Sequence, residues 1–141
     1  LDLNFDESYG KEYRGFIRKM IPGYDQRLEL LSDILASAST NATNRKKQVL
    51  VIGPGYGEEL IGMAHAIPDT HITAFEASAE MAKAAQHLVD REGLDSQVTI
   101  VPRAFGGSDD VTPESQSYDA VTLLNVLHLM PREQHLPLLR Q

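Results

Sequence analysis

Three glycines at alternate positions, Gly53, Gly55 and Gly57, stand directly after the apolar run Val49-Leu50-Val51-Ile52 and before Glu58-Glu59-Leu60-Ile61. Glycines placed there allow a tight turn and remove the side chains that would keep a ligand away from backbone amides at the start of a helix. Glu76 lies 19 residues beyond Gly57, at the end of a second extended run, His71-Ile72-Thr73-Ala74-Phe75. In an open α/β sheet, an acidic residue about 20 residues past the glycine turn accepts hydrogen bonds from ribose hydroxyls. Both features belong to the same end of the sheet, so together they describe a nucleoside site. A dinucleotide fingerprint would need glycine at position 58, where the chain has Glu58. A carboxylate at that helix start repels a pyrophosphate, which weighs against NAD and an oxidoreductase.

Other chemistries find little support. The five histidines, His65, His71, His87, His128 and His135, form no H-E-x-x-H and no i, i+4 pair, and the chain has no cysteine, so no metal site is expected. The G-x-S-x-G pattern of serine hydrolases is missing as well.

These residues need elements to hold them. Helical spacing of Leu28, Leu31, Ile34, Leu35 and Ala38 after Pro22-Gly23 predicts an amphipathic helix over 24 to 38. Residues 39 to 47, polar and ending in Arg45-Lys46-Lys47, read as an exposed connection. The glycine turn joins a first strand to a helix, and a second helix starts at Ser78 with Met81, Ala84, Ala85, Leu88 and Val89 on one stripe, closed by Gly93. Val98 to Val101 predicts a third strand, Tyr118 to Asn125 a fourth, and a helix follows from about Pro131. Nearly continuous apolar strands alternating with amphipathic helices indicate parallel strands covered on both faces. The expected fold is therefore α/β, a doubly wound, Rossmann-like parallel sheet in one domain over 1–141. Residues 1–47 would form N-terminal helices and their connecting loop, and 48–141 the nucleoside-binding part.

The chain has 141 residues, a formal charge of −7 and 42% hydrophobic residues. That is one domain with enough length for a real core. The acidic balance argues against a nucleic-acid partner, because phosphate recognition rests on clustered Lys and Arg. No apolar run reaches the roughly 18 residues of a membrane span, and Leu1 to Glu7 does not read as a signal peptide, so no membrane role and a cytoplasmic location are expected. The chain opens on Leu and stops within the last expected helix, as a piece of a longer protein would.

The glycine turn Gly53-Pro54-Gly55-Tyr56-Gly57 with Glu76 resembles the first two motifs of class I S-adenosylmethionine-dependent methyltransferases, whose cofactor carries a cationic sulfonium and no phosphate. The resemblance runs from Phe5 to Gln141. It implies S-adenosyl-L-methionine as cofactor, with Gly53, Gly55, Gly57, Glu76 and the adjoining Ala77 binding it. Ser78-Ala79-Glu80-Met81 looks like the family segment whose Met-like side chain packs against adenine, while the helical stripe equally makes Met81 a core residue. Tyr118-Asp119-Ala120-Val121 and the stretch from Asn125 to Met130 resemble the fourth motif and its strand end, near which methyl donor and substrate meet. Asn125 is a binding candidate there. His128 is a catalytic candidate, as base or substrate ligand, or else a structural side chain amid Leu and Met.

Phe5-Asp6-Glu7, Tyr13 and Ile21-Pro22-Gly23-Tyr24-Asp25 resemble the N-terminal lid helices of small-molecule methyltransferases, and the Pro-Gly-Tyr element is similar to the carboxy-S-adenosylmethionine synthase branch. Tyr9 or Tyr13 would then face the cofactor or anchor the lid. Where the family often has an acid for the adenine amino group, this chain has Arg103-Ala104, which leaves that contact to backbone and Phe105. The family's full domain continues beyond the four strands expected here. The outer edge of the fourth strand would then invite pairing with a second copy or a companion segment. The resulting expectation is methyl transfer to a small-molecule acceptor; a non-catalytic methyltransferase-like interaction module is the alternative.

Overall fold

The computed structural model describes residues 9–38, 46–106 and 118–140, with side chains from residue 15 onward. Helices α1 (Tyr9–Met20) and α2 (Tyr24–Ala38) precede an alternation of strands and helices: β1 (Lys47–Ile52), α3 (Glu58–Ala66), β2 (Thr70–Phe75), α4 (Ala79–Arg91), β3 (Val98–Val101), β4 (Ala120–Thr122) and α5 (Arg132–Leu139). All strands are parallel, in the order β3-β2-β1-β4. The chain winds outward from β1 through β2 to β3, then returns to place β4 on the other side of β1. Strand order therefore reverses between β1 and β4, and the carboxyl ends of those strands flank the crevice where open α/β sheets bind ligands.

Alternation along the strands divides the core. Val49 and Val51 of β1, Ile72 and Ala74 of β2 and Val98 of β3 pack with Leu35 of α2, Leu60, Met63 and Ala64 of α3 and Val89 of α4. Leu50, Ile52 and Phe75 point to the other face and meet Leu138 of α5. Covering on both faces is what near-continuous apolar strands require. Helix α4 begins where expected, with Ser78 as its cap: Ser78 Oγ accepts from the Met81 amide at 3.3 Å.

The fourth strand is shorter than the apolar run predicts. Asp119 locks its start, its Oδ2 accepting from the Gln48 amide at 2.8 Å while its own amide donates to the Gln48 carbonyl at 2.7 Å. After Thr122 the chain leaves the sheet, and Asn125 takes a left-handed conformation with φ of 59°. That backbone cannot continue a strand, and asparagine is among the few residues that tolerate it. Leu123, Val126 and Leu127 pack instead against the second core face. The expectations for Tyr9 and Tyr13 concern side chains outside the described ones.

Leu60 is fully buried against the first face, so Leu60→Ala is expected to cost about 2–5 kcal/mol, read as a lower denaturant midpoint at unchanged slope. Among the described residues β4 pairs only with β1. We propose that its outer edge associates with a second copy or a companion segment, since unpaired edges template pairing. Sedimentation over a concentration series is expected to show association that Val121→Lys weakens; a concentration-independent monomer would refute it.

Candidate functional site

A cavity of about 500 Å³ opens at the carboxyl ends of β1, β2 and β4. Its floor is the glycine turn, with Ile52, Gly53, Pro54, Gly55 and Tyr56 on the wall; Phe75 to Ser78 follow β2, and Leu124 to Val126 follow β4. Met81 of α4 and Phe105 after β3 add apolar surface, and Ile17 of α1 and Tyr24 of α2 reach in from the lid. Phe75 and Phe105 meet edge to face with centroids 5.1 Å apart. The guanidinium of Arg103 stands 5.0 Å over the Phe75 ring, so it braces this aromatic wall from position 103, where the family often has an acid.

Glu76 is 7% exposed. Its Oε2 accepts from the Gly55 amide at 2.8 Å, and its Oε1 accepts from the Ser78 amide at 2.9 Å. One carboxylate thus ties the glycine turn to the start of α4. A carboxylate offers about four lone-pair sites, so both oxygens keep capacity for hydroxyl donors from a ligand. The Gly53 amide donates to the Phe75 carbonyl at 2.8 Å and fastens the turn to β2 a second time.

The three glycines occupy left-handed backbone but meet different surroundings. A Cβ on Gly57 would lie 2.9 Å from Ala85 Cβ and 3.2 Å from Ala85 Cα, so this glycine lets α3 approach α4, and it does not line the cavity. A Cβ on Gly53 would lie 2.6 Å from Val126 Cγ2. A Cβ on Gly55 would meet only Met81 Sδ, at 3.9 Å, and would project into the cavity.

Of the residues the sequence singles out, Gly53, Gly55, Glu76, Ala77, Met81 and Asn125 line this one cavity. Met81 is also 4% exposed and belongs to the buried core, as the helical stripe predicts. Asn125 Oδ1 accepts from Arg27 Nη1 at 3.4 Å. His128 is exposed, in the short 3-10 turn Leu127–Leu129, and does not line the cavity. No His, Cys, Asp and Glu cluster fit for a metal occurs among the described residues.

Glu59 is the residue sequence reasoning missed. Sequence position held the signal: Glu59 lies four residues before Met63, on the stripe that α3 turns to the core. It is 6% exposed and lines the cavity, and its Oε1 has no hydrogen-bond partner. Burial pushes its carboxyl up to about 8, and the neighbouring Glu76 charge adds to the rise. Glu58 beside it is engaged differently: its Oε2 accepts from Arg18 Nη2 at 2.7 Å, and Arg18 also pairs with Asp25 at 3.0 Å. Among the described residues the cavity wall carries three acidic side chains, Glu58, Glu59 and Glu76, and no Lys, Arg or His.

Because Glu59 holds its proton more tightly folded than unfolded, stability declines as pH rises from 4.5 to about 8, where the unfolded chain ionises Glu59 and the folded one keeps it neutral. Glu59→Gln is expected to remove that decline, gaining most stability over the wild type at pH 8 and above, by thermal melts across pH. Gly57→Ala should lower stability by about 1–3 kcal/mol from backbone strain and overpacking, whereas Gly55→Ala meets no steric clash and should cost about 1–2 kcal/mol through its left-handed backbone alone.

Comparison with known proteins agrees with this geometry. Residues 49–141 match the family model described as a methyltransferase domain. A carboxy-S-adenosyl-L-methionine synthase from Marinobacter nauticus is 26% identical, over 98% of this chain and 52% of that protein, so the chain spans about half the length of this relative. The structure of the mitomycin 7-O-methyltransferase MmcR superposes with a TM-score of 0.63 at 20% identity, covering 96% of this chain and 37% of that one. It shows the same fold. With a glycine turn and an acid at the end of β2 around one cavity at the switch point, the chain belongs to the methyltransferase-domain family.

Proposed function

We propose that this chain is the cofactor-binding part of an enzyme that transfers a methyl group from S-adenosylmethionine to a small-molecule acceptor. The observation that carries the reading is the cavity lining: the Glu76 carboxylate beside the glycine turn, the buried neutral carboxyl of Glu59 and, among the described residues, no basic side chain on an otherwise apolar and aromatic wall. That wall suits a cationic nucleoside and rejects a pyrophosphate. The residues fit the cofactor. Glu76 would accept from the ribose hydroxyls, Gly55 would leave room for the ligand against the turn, and Phe75, Phe105 and Met81 would enclose the adenine.

S-adenosylmethionine supplies an electrophilic methyl group on a sulfonium sulfur. The protein's share of the work is positioning, because bringing donor and acceptor into line needs no covalent protein intermediate. Ile17 and Tyr24 line the cavity from the two N-terminal helices, which supports a small acceptor rather than a macromolecular one. Asn125 and Gln134 are polar groups on the wall near the end of β4 that can orient it. A second reading, synthesis of a carboxy-S-adenosylmethionine, is favoured by the likeness to the Marinobacter synthase, which covers 98% of this chain. Mass spectrometry of the cofactor and of the acceptor after turnover separates the two.

Calorimetric titration with S-adenosylmethionine is expected to show binding that Glu76→Ala weakens about ten- to a hundredfold, the loss of charged hydrogen bonds worth roughly 1.5–3 kcal/mol. Gly55→Ala should fold and lose at least about tenfold in affinity. Equal affinities in the wild type and Glu76→Ala would remove Glu76 from the site.

A further inference from the structure

Glu59 is the one carboxyl of the cavity whose partner the protein does not provide. Glu58 is held by Arg18, and Glu76 by the amides of Gly55 and Ser78. Glu59, in the first turn of α3, is 6% exposed on the cavity wall, and its Oε1 meets no donor. A buried acid is kept without a partner only at a cost, and that cost is recovered if a ligand brings the missing donor or charge.

We propose that Glu59 is the counter-ion for the positive charge of the cofactor, and that its carboxyl releases a proton to solvent as that cation enters the cavity. The proposal rests on the S-adenosylmethionine reading above. Its proton balance is simple: the O–H bond of Glu59 breaks, the proton leaves to buffer, and a cation takes its place, so the charge of the site stays constant. In the free protein, burial and the Glu76 carboxylate hold the Glu59 carboxyl protonated at neutral pH. A cation beside Glu59 favours its ionised form against the burial and the Glu76 charge that otherwise hold it neutral.

Among the described residues, three arginines touch side chains of the cavity wall and none lines the cavity. Arg18 of α1 is shared by Glu58 and Asp25. Arg27 of α2 donates to the neutral Asn125 while its Nε and Nη2 are buried without a hydrogen-bond partner, and Arg103 stands over Phe75. Helix α4 presents Ser78 and Met81 to the cavity, and α5 presents Gln134 and Leu138. Glu76, from the end of β2, is the group whose charge acts on Glu59.

S-adenosylmethionine carries two cations, the sulfonium and the methionyl ammonium, and three ligands distinguish them. S-adenosylhomocysteine keeps only the ammonium, and methylthioadenosine has neither. Calorimetry at pH 6.5 in buffers of different ionisation enthalpy counts the protons exchanged. The wild type is expected to release close to one proton per S-adenosylmethionine bound, Glu59→Gln none, and methylthioadenosine none with either protein. Release with S-adenosylhomocysteine as well assigns the ammonium; release with S-adenosylmethionine alone assigns the sulfonium. From pH 6.5 to pH 8 the wild-type affinity should rise about tenfold relative to Glu59→Gln, a ratio that cancels titration of the ligand itself. Glu59→Gln keeps the neutral group that the empty site prefers, and its melting curve checks that it is folded. Binding to the wild type without proton release, or equal release by Glu59→Gln, overturns the counter-ion role and leaves the cofactor reading standing. No binding of S-adenosylmethionine to the wild type overturns both.

Discussion

The site depends on the Glu76 carboxylate. By accepting from the amides of Gly55 and Ser78 it joins two helix-initiating turns that follow different strands. Backbone amides at a helix start have no intrahelical acceptor, so a buried carboxylate between two such turns satisfies donors that would otherwise face an apolar cavity. Charge-assisted bonds of this kind are stronger than neutral ones. They fix the distance between the glycine turn and α4, and with it the width of the cavity.

Sheet topology places that junction where a ligand can use it. Reversal of strand order between β1 and β4 leaves the carboxyl ends of β1, β2 and β4 around one crevice, and the departure of the chain from β4 at Asn125 keeps the crevice open. The glycines then divide the labour. Gly57 serves the contact of α3 with α4, Gly53 the approach of Val126, and Gly55 borders the open space of the cavity.

Electrostatics inside the cavity are uneven for a reason. Glu58 and Glu59 are neighbours in sequence, yet one reaches out to Arg18 and the other is turned inward, because successive residues on a helix point about 100° apart. Burial keeps Glu59 neutral in the free protein, and Glu76 stays satisfied by its amide donors. The pair can therefore sit close without both being charged, and the site responds to a cation by ionising.

The strand, glycine turn and helix over 49 to 61, the acid at the end of β2, the α4 stripe capped at Ser78 and the bounds of α2 were all legible in the sequence, because hydrophobic period, glycine placement and capping are local properties. Glu58 in place of a third dinucleotide-type glycine likewise weighed against NAD from the sequence alone. The bend at Asn125, the division of roles among the glycines, the entry of Ile17 and Tyr24 and the exposure of His128 were decided only by tertiary structure. Glu59 shows why most clearly. Its place on the apolar stripe of α3 can be read from spacing, but its missing partner cannot. Whether a buried acid finds a donor depends on which elements pack around it, and here the glycine turn, the end of β2 and the lid offer it none.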